Sequence, residues 1–492
     1  MSRTSNVTRA LLALLLLLFV IPARAENDDE EIRFETKYAK DLQFRGGRVT
    51  IDHRFGDLDV RTQPGSTVTV RATIRSSNAD IGKQIRIDAT EDASGVSIRT
   101  IFPSIHNWHG SLSYSVDMTV TIPQNAPLTA KNQFGKSDVR GLRAAATVEN
   151  RQGSIEFFDA RGGAFTVTNS FGAIEAGDVA SALAITNSNG AVKAENIGGD
   201  LSITNRFGAV TVDDAKDDVT INNANGSVSA LDIGGMLKVT NSFGSVKAST
   251  VRGLTDITDT NGKVELSNIS NSATVKNSFG AVVAQTVKGN LTVDSENSRV
   301  DAANISGNAK IDTSFGSVTL QNISGLADVT AANGNIKVSD VGGAFSGESR
   351  FGSVRAERVR GAADVRSSNG GVTLQEITGD AKVRTSFGGV FIDGVNGAVD
   401  VQNENGAIAV GGLRGSGCRP VTLRTTFSSI KVALPAGAGY SVTARTSFGR
   451  ISSALPITTN NVGEDTLIGT IGRGGCRLDL LNSNGSITIE KE

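Results

Sequence analysis

Phe-Gly recurs at Phe171, Phe207, Phe243, Phe279, Phe315, Phe351 and Phe387, each step 36 residues without a slip. Midway lie Asn189, Asn225, Asn261, Asn297, Asn333, Asn369 and Asn405, and all but Asn297 precede Gly. The unit is therefore 18 residues long, with Phe and Asn alternating at its start, here called position zero. Position three is always Val or Ile, as in Ile174, Val192, Val246 and Ile408. Position five is apolar (Ala176, Val212, Leu266, Ile392), and position eight is Val or Ile in nearly every unit, Ala215 being a small exception. Position fourteen repeats the pattern (Ile185, Ile203, Val239), and Gly takes position ten in eleven of fourteen units. Self-similarity at a fixed short period is the signature of a repeat architecture.

Apolar residues two apart share one side of an extended strand, and the residues between them, such as Glu175, Lys193 and Lys247, are charged. No stretch shows a 3.6-residue apolar stripe, so helices are not expected. Each unit reads as two or three short strands with turns at Gly, which reaches positive φ without steric cost. One unit cannot bury its inward side chains alone. Stacked coils can, with each strand pairing in parallel with its counterpart one unit away. The fold expected is an all-β parallel β-solenoid with 18-residue coils. Right-handed winding follows the general bias of parallel connections. Fourteen strict units and two looser ones, near Phe134 and Gln152, would make a rod on the order of 75 Å long. Propeller blades and calcium-binding nonapeptide rolls fit worse, since neither explains an 18-residue period.

Four segments follow. Residues 1–25 read as an export signal: Arg3 and Arg9, an apolar run from Leu11 to Ile21, then Ala23-Arg24-Ala25. The run is short for a membrane span and no later segment is apolar enough, so no transmembrane segment is expected after cleavage. The exported chain would begin near Glu26 and reside in the periplasm, at the cell surface or outside the cell. Residues 26–130 read as a β-rich cap or as first coils carrying insertions. Residues 131–412 are the solenoid repeat, and residues 413–492 a solenoid and capping segment. This last segment holds both cysteines, Cys418 and Cys476. They could form a disulfide, worth roughly 4 kcal/mol on chain entropy, or remain separate thiols; the sequence does not choose.

Two passages carry a family resemblance. Tyr114-Ser-Val-Asp-Met-Thr-Val-Thr-Ile-Pro123, followed by Ala126-Pro-Leu-Thr-Ala-Lys-Asn-Gln-Phe-Gly135, resembles the lead-in to the repeat of the bacterial putative-adhesin family. Gly469-Thr-Ile-Gly-Arg-Gly-Gly475 and Leu478-Asp-Leu-Leu-Asn-Ser-Asn-Gly-Ser-Ile-Thr-Ile489 resemble its ending. The resemblance covers most of the chain after residue 25. It implies a secreted or envelope β-solenoid and transfers no catalytic residue. The long, regular middle departs from shorter members of the family.

Candidate chemistry is sparse. With 49 Lys and Arg against 50 Asp and Glu, the chain has no general nucleic-acid footprint, and three histidines leave little for histidine catalysis. Asp213, Asp214, Asp217 and Asp218 could hold Ca²⁺ but read better as a solvated turn. His106-Asn107-Trp108-His109 could ligate a metal or stack on a sugar, but reads better as a hairpin tip. Arg350, Arg355, Arg358, Arg360 and Arg366, interleaved with Glu348 and Glu357, read as one mixed, solvated face. A partial Thr column at Thr168, Thr186, Thr204, Thr240 and Thr258 breaks at Asn222 and Lys276. Asn169, Asn187, Asn205, Asn223, Asn241 and Asn277, with Asp259 among them, are expected to form a ladder of stacked amides serving turn backbone groups. The Phe column is expected to point inward and fill a corner of the core; outward, it would form an aromatic ladder about 9.6 Å in pitch. No catalytic, cofactor or metal site is expected. The leading functional expectation is a non-enzymatic scaffold whose side faces bind glycans or other envelope proteins. A polysaccharide-active enzyme and a self-assembling filament are the alternatives.

Overall fold

The computed structural model describes residues 32–105, 110–414 and 418–492. Residues 1–25, expected to be an export signal, and the His106–His109 segment lie outside them. Residues at positions three to eight form one strand of each coil, as in Ile174–Val179, and positions twelve to eighteen form another, as in Leu183–Asn189. Each pairs in parallel with the equivalent strands one coil before and one after. The result is a two-sheet parallel β-solenoid of about 17 turns. The register never slips through the repeat: Val246 faces Val228 on one side and Val264 on the other.

This register turns each conserved position into a column. Positions three, five and eight of one sheet and twelve and fourteen of the other line a narrow core, where Val246, Ala248, Val251 and Ile257 are fully buried. Ordinary β-branched residues suffice because the neighbouring coil supplies the same shape 4.8 Å away, within about 0.1 Å. Size changes are matched locally. A Cβ at Gly347 would meet the Phe345 ring at 2.6 Å, so the large buried ring fills the space left by a missing side chain two residues on.

Two corners turn the chain. Between positions five and eight the backbone bends through a residue at positive φ in coil after coil: Asp178 (55°), Asn196 (54°), Thr250 (57°), Arg358 (54°). The Gly at position ten does a different job from the one expected. Gly199 and Gly289 are not in the left-handed region; a Cβ there would lie 2.7 Å from the Ala182 nitrogen and 2.4 Å from the Ser272 nitrogen. Close approach of successive coils therefore favours Gly at that corner, although Ser181, Asp217 and Asn271 also occupy it.

Both ends rearrange the stack. Arg48–Phe55 and Leu58–Gln63 form a coil that stacks directly on Leu128–Phe134 and Ser137–Arg140. Residues 64–127 are inserted between these neighbours. Within the insertion, Thr67–Ser76 pairs antiparallel with both Phe34–Gln43 and Tyr114–Pro123, and Arg86–Asp92 pairs antiparallel with Gly95–Ile101. It also holds the one helix among the described residues, Ala79–Gly82, whose Asn78 side chain accepts from the Asp80 and Ile81 amides. The other end is threaded out of order. The last coil, Cys476–Asn484 and Ile487–Lys491, lies between Val421–Leu434 and the coil of Tyr440–Arg445 and Ile451–Ser453. Ile457–Val462 and Thr466–Ile471 then close that sheet antiparallel. Cys418 and Cys476 are joined by a disulfide. No helix among the described residues is long and apolar enough to cross a membrane.

Candidate binding surface

From Asn132 to Asn277 the corner before the Phe or Asn at position zero is plugged by an amide, with Asp259 once in its place, and from Ser295 to Thr385 by Ser, Thr or Ala. Asn169 donates to the carbonyls of Gly153 (2.8 Å) and Gly172 (3.1 Å), and Asn187 to those of Gly172 (3.2 Å) and Gly190 (3.0 Å). These two amides, and Asn277 likewise, bridge the turn carbonyls of two coils. The ladder continues side chain to side chain where Asn223 donates to Asn241 and Asn241 to Asp259.

That plug decides where the Phe goes. Strict alternation would send position zero inward after buried residues at twelve, fourteen and sixteen. A buried polar side chain two residues earlier, from Asn169 to Thr385, already fills the corner, and the Gly after each ring, at φ 128° in Gly172 and 116° in Gly388, turns the chain away. The Phe rings therefore face solvent, 42% exposed at Phe207 and 59% at Phe351, and the expected inward packing is overturned. They make a ladder with a pitch of about 9.6 Å, two coils per rung. Between rungs, Asn189 donates to the Ser170 carbonyl (3.4 Å) and Asn333 to the Ser314 carbonyl (3.2 Å). These bonds fix the floor between successive rings. At the N-terminal end, Phe134 stacks on Phe55 at 4.9 Å, and Phe102 and Tyr114 pack edge-on against Phe55, so the column ends in an aromatic cluster.

The alternation also survives the out-of-order end. Phe427 pairs with Asn484, and Asn484 bridges to Phe448, so the spatial order is Phe, Asn, Phe although the chain order is Phe427, Phe448, Asn484. Phe448 is 76% exposed.

The other candidates separate. Asp214 pairs with Lys216 at 2.6 Å, and Asp218 accepts from the Met236 amide at 2.7 Å. Among the described residues no group of three or more His, Cys, Asp or Glu is placed to hold a metal ion. The five arginines do not form one face, because the coil places 345–349 and 363–367 on one sheet and 354–359 on the other. Arg355 bonds Gln375 (2.8 Å) and pairs with Glu357, and Arg358 holds Asp340 with two bonds (2.6 and 2.9 Å), which keeps the Asp340 carboxyl below its usual range. Arg350 and Arg366 are exposed on the other side.

Sequence reading passed over His53. It occupies the amide column in the first coil, facing Asn132, and is fully buried. Neither ring nitrogen meets full hydrogen-bond geometry. Burial holds its pKa down at about 4, against the smaller opposing pull of the Gly56 and Val116 carbonyls. The signal was there: His53-Arg54-Phe55-Gly56 matches Asn132-Gln133-Phe134-Gly135 in pattern.

No family model and no curated protein matches the sequence. Solved structures similar to the chain include a putative cell adhesion protein from Clostridium sporogenes at 8% identity and TM-score 0.16, covering 93% of this chain and all of that one. A putative adhesin from Parabacteroides merdae aligns at 10% identity and TM-score 0.23, covering 56% of this chain and 96% of that one. One from Parabacteroides distasonis aligns at 12% and 0.24, covering 58% and 96%. At these scores no residue role passes from them to this chain.

Proposed function

We propose that the chain is an exported, non-catalytic scaffold that binds a repeating glycan along the Phe ladder. The observation that carries this reading is the Phe, Asn, Phe order at the C-terminal end. Tandem duplication accounts for a 36-residue period, but not for the same spacing where the last coil is inserted out of sequence order. The spacing of exposed rings, rather than the ancestry of the unit, is what the arrangement keeps.

A ring half exposed in the free protein gains about 1 kcal/mol when a sugar face covers it. One such contact is weak. A polymer touching several rungs makes each later contact intramolecular, and avidity rises by orders of magnitude without new chemistry. The amides between rungs offer polar partners for hydroxyl groups. The N-terminal end of the rod finishes in antiparallel strands that carry mixed charge, such as Glu35, Lys37, Lys40 and Asp41, and at the C-terminal end one sheet closes antiparallel while the other ends in the three-residue strand Ile451–Ser453. Such edges oppose end-to-end growth, so they lend no support to a filament.

The test is a panel of immobilised polysaccharides and their size-graded oligomers, with binding measured on the purified chain. Affinity should climb steeply with oligomer length up to several disaccharides. Cleavage of any polymer, or affinity independent of length, would overturn the reading.

A further inference from the structure

Four successive strands of the amide-bearing sheet are shorter than their counterparts. Phe345–Ser349, Ala363–Ser367, Ala381–Thr385 and Val399–Asn403 span five residues, where Phe165–Phe171 spans seven. The corner amide, already absent at Ser295, Thr313 and Ala331, is absent in the first three as well, where Ser349, Ser367 and Thr385 stand. Where the wall ends early a groove of about 570 Å³ opens beside the ladder, lined by Arg350, Arg366, Arg384 and Arg424 against Glu348 and Glu404.

The charge in this groove is only partly balanced, with Glu348 in register beside Arg366 on one side. Arg366 lies directly opposite Arg384, and Arg424 follows beyond Gln402. Like charges facing across strands work against stability. Elsewhere on the rod some charges meet partners, as Lys193 meets Glu175 and Lys131 meets Glu149; what sets this place apart is that several arginines line one space. Here only Arg384 has a counter-ion, Asp400 at a long 3.8 Å. The guanidinium groups of Arg350, Arg366 and Arg424 make no hydrogen bond or ion pair with the described residues. A planar guanidinium fork matches a carboxylate. The exposed rings of Phe351 and Phe387 directly follow the lining residues Arg350 and Ser386.

We infer that this groove binds the carboxylates of an acidic polysaccharide, with Arg366, Arg384 and Arg424 pairing with the anions while Phe351 and Phe387 hold the sugar rings. The inference rests on the glycan-binding reading and names the class of glycan. Charge complementarity selects an anion, and flanking aromatic faces select a sugar polymer over an acidic peptide.

The test compares polygalacturonate with its fully methyl-esterified form, which keeps the backbone and removes the charge, and includes poly-glutamate. The intact chain should bind polygalacturonate at least tenfold more tightly than the ester, and the preference should shrink as salt is raised. The Arg366→Gln, Arg384→Gln, Arg424→Gln variant should bind both polymers equally, at the ester's level. Arg355→Gln with Arg358→Gln, on the opposite sheet, should keep the preference. Equal binding of the two polymers by the intact chain, or a preference surviving in the triple variant, would overturn the groove while leaving the ladder standing. Poly-glutamate binding as tightly, with the same arginine dependence, would overturn the sugar assignment. Failure to bind either polysaccharide would overturn the groove, and the ladder would then stand or fall on the polysaccharide panel.

Discussion

Phe448 pairs in parallel with Asn484, which belongs to the chain's last coil, and so stands two coils from Phe427 instead of one. Its ring keeps the pitch of the ladder because a later segment slides in beneath it. The disulfide from Cys476 to Cys418 holds that segment in place. With a sequence separation of 58 between the cysteines, closing the loop is worth about 4 kcal/mol on the chain-entropy model. Replacing both cysteines with Ser should therefore loosen residues 421–491 selectively. Hydrogen exchange should show faster opening of that end, with the central coils unchanged.

Asp259 stands in the amide column where its neighbours donate. One oxygen accepts from Asn241 at 3.1 Å and the other has no partner. Burial raises its pKa from 3.8 to about 6, against the hydrogen bonds from Asn241 and the Thr260 amide. The folded chain holds a proton there that the unfolded chain releases, so this contribution is full below about pH 4 and lost as pH rises through 6. The swing is about 3 kcal/mol. Asp259→Asn should stabilise the rod at pH 8 by up to that amount and do little at pH 3.5. Denaturant melts at the two pH values check it; equal effects at both would remove the assignment.

His53 works in the opposite direction. Its pKa falls from 6.5 to about 4 through burial, so the stability it supports is present above pH 6.5 and lost as pH falls through 4. His53→Asn should remove about 3 kcal/mol of acid sensitivity from the N-terminal coil. Chemical-shift titration of the ring should show no protonation at pH 5.

The stacked core has its own test. Val246 is fully buried between Val228 and Val264. Val246→Asp places an unpaired charge there and should cost at least about 4 kcal/mol. Protection should be lost first in the coils of those two neighbours.

The coil was legible because its columns are strict: Val or Ile at position three and a small residue at ten leave little but a stack. The expected amide ladder is present, with the added detail that Asn169, Asn187 and Asn277 each serve two coils. The Phe direction was misread because alternation was extended one residue too far, past a polar residue that already filled the corner and into a Gly at positive φ. The bend at position seven was written in Asp178, Asn196, Asn268 and Asn304, types that tolerate positive φ, yet Thr250 and Arg358 in the same column obscured it. His53 was hidden by residues 64–127, which break the count between its coil and the next. The groove was invisible in the sequence, since Arg366 and Arg424 become neighbours of one space only through register.

The most direct measurement compares the intact chain with Phe243→Ala, Phe279→Ala, Phe315→Ala for both melting and binding to the tightest polysaccharide of the panel. Three lost contacts of about 1 kcal/mol each should weaken binding on the order of a hundredfold with almost no change in melting. Strong destabilisation would mean that the rings are buried, and unchanged affinity would mean that the ladder binds nothing.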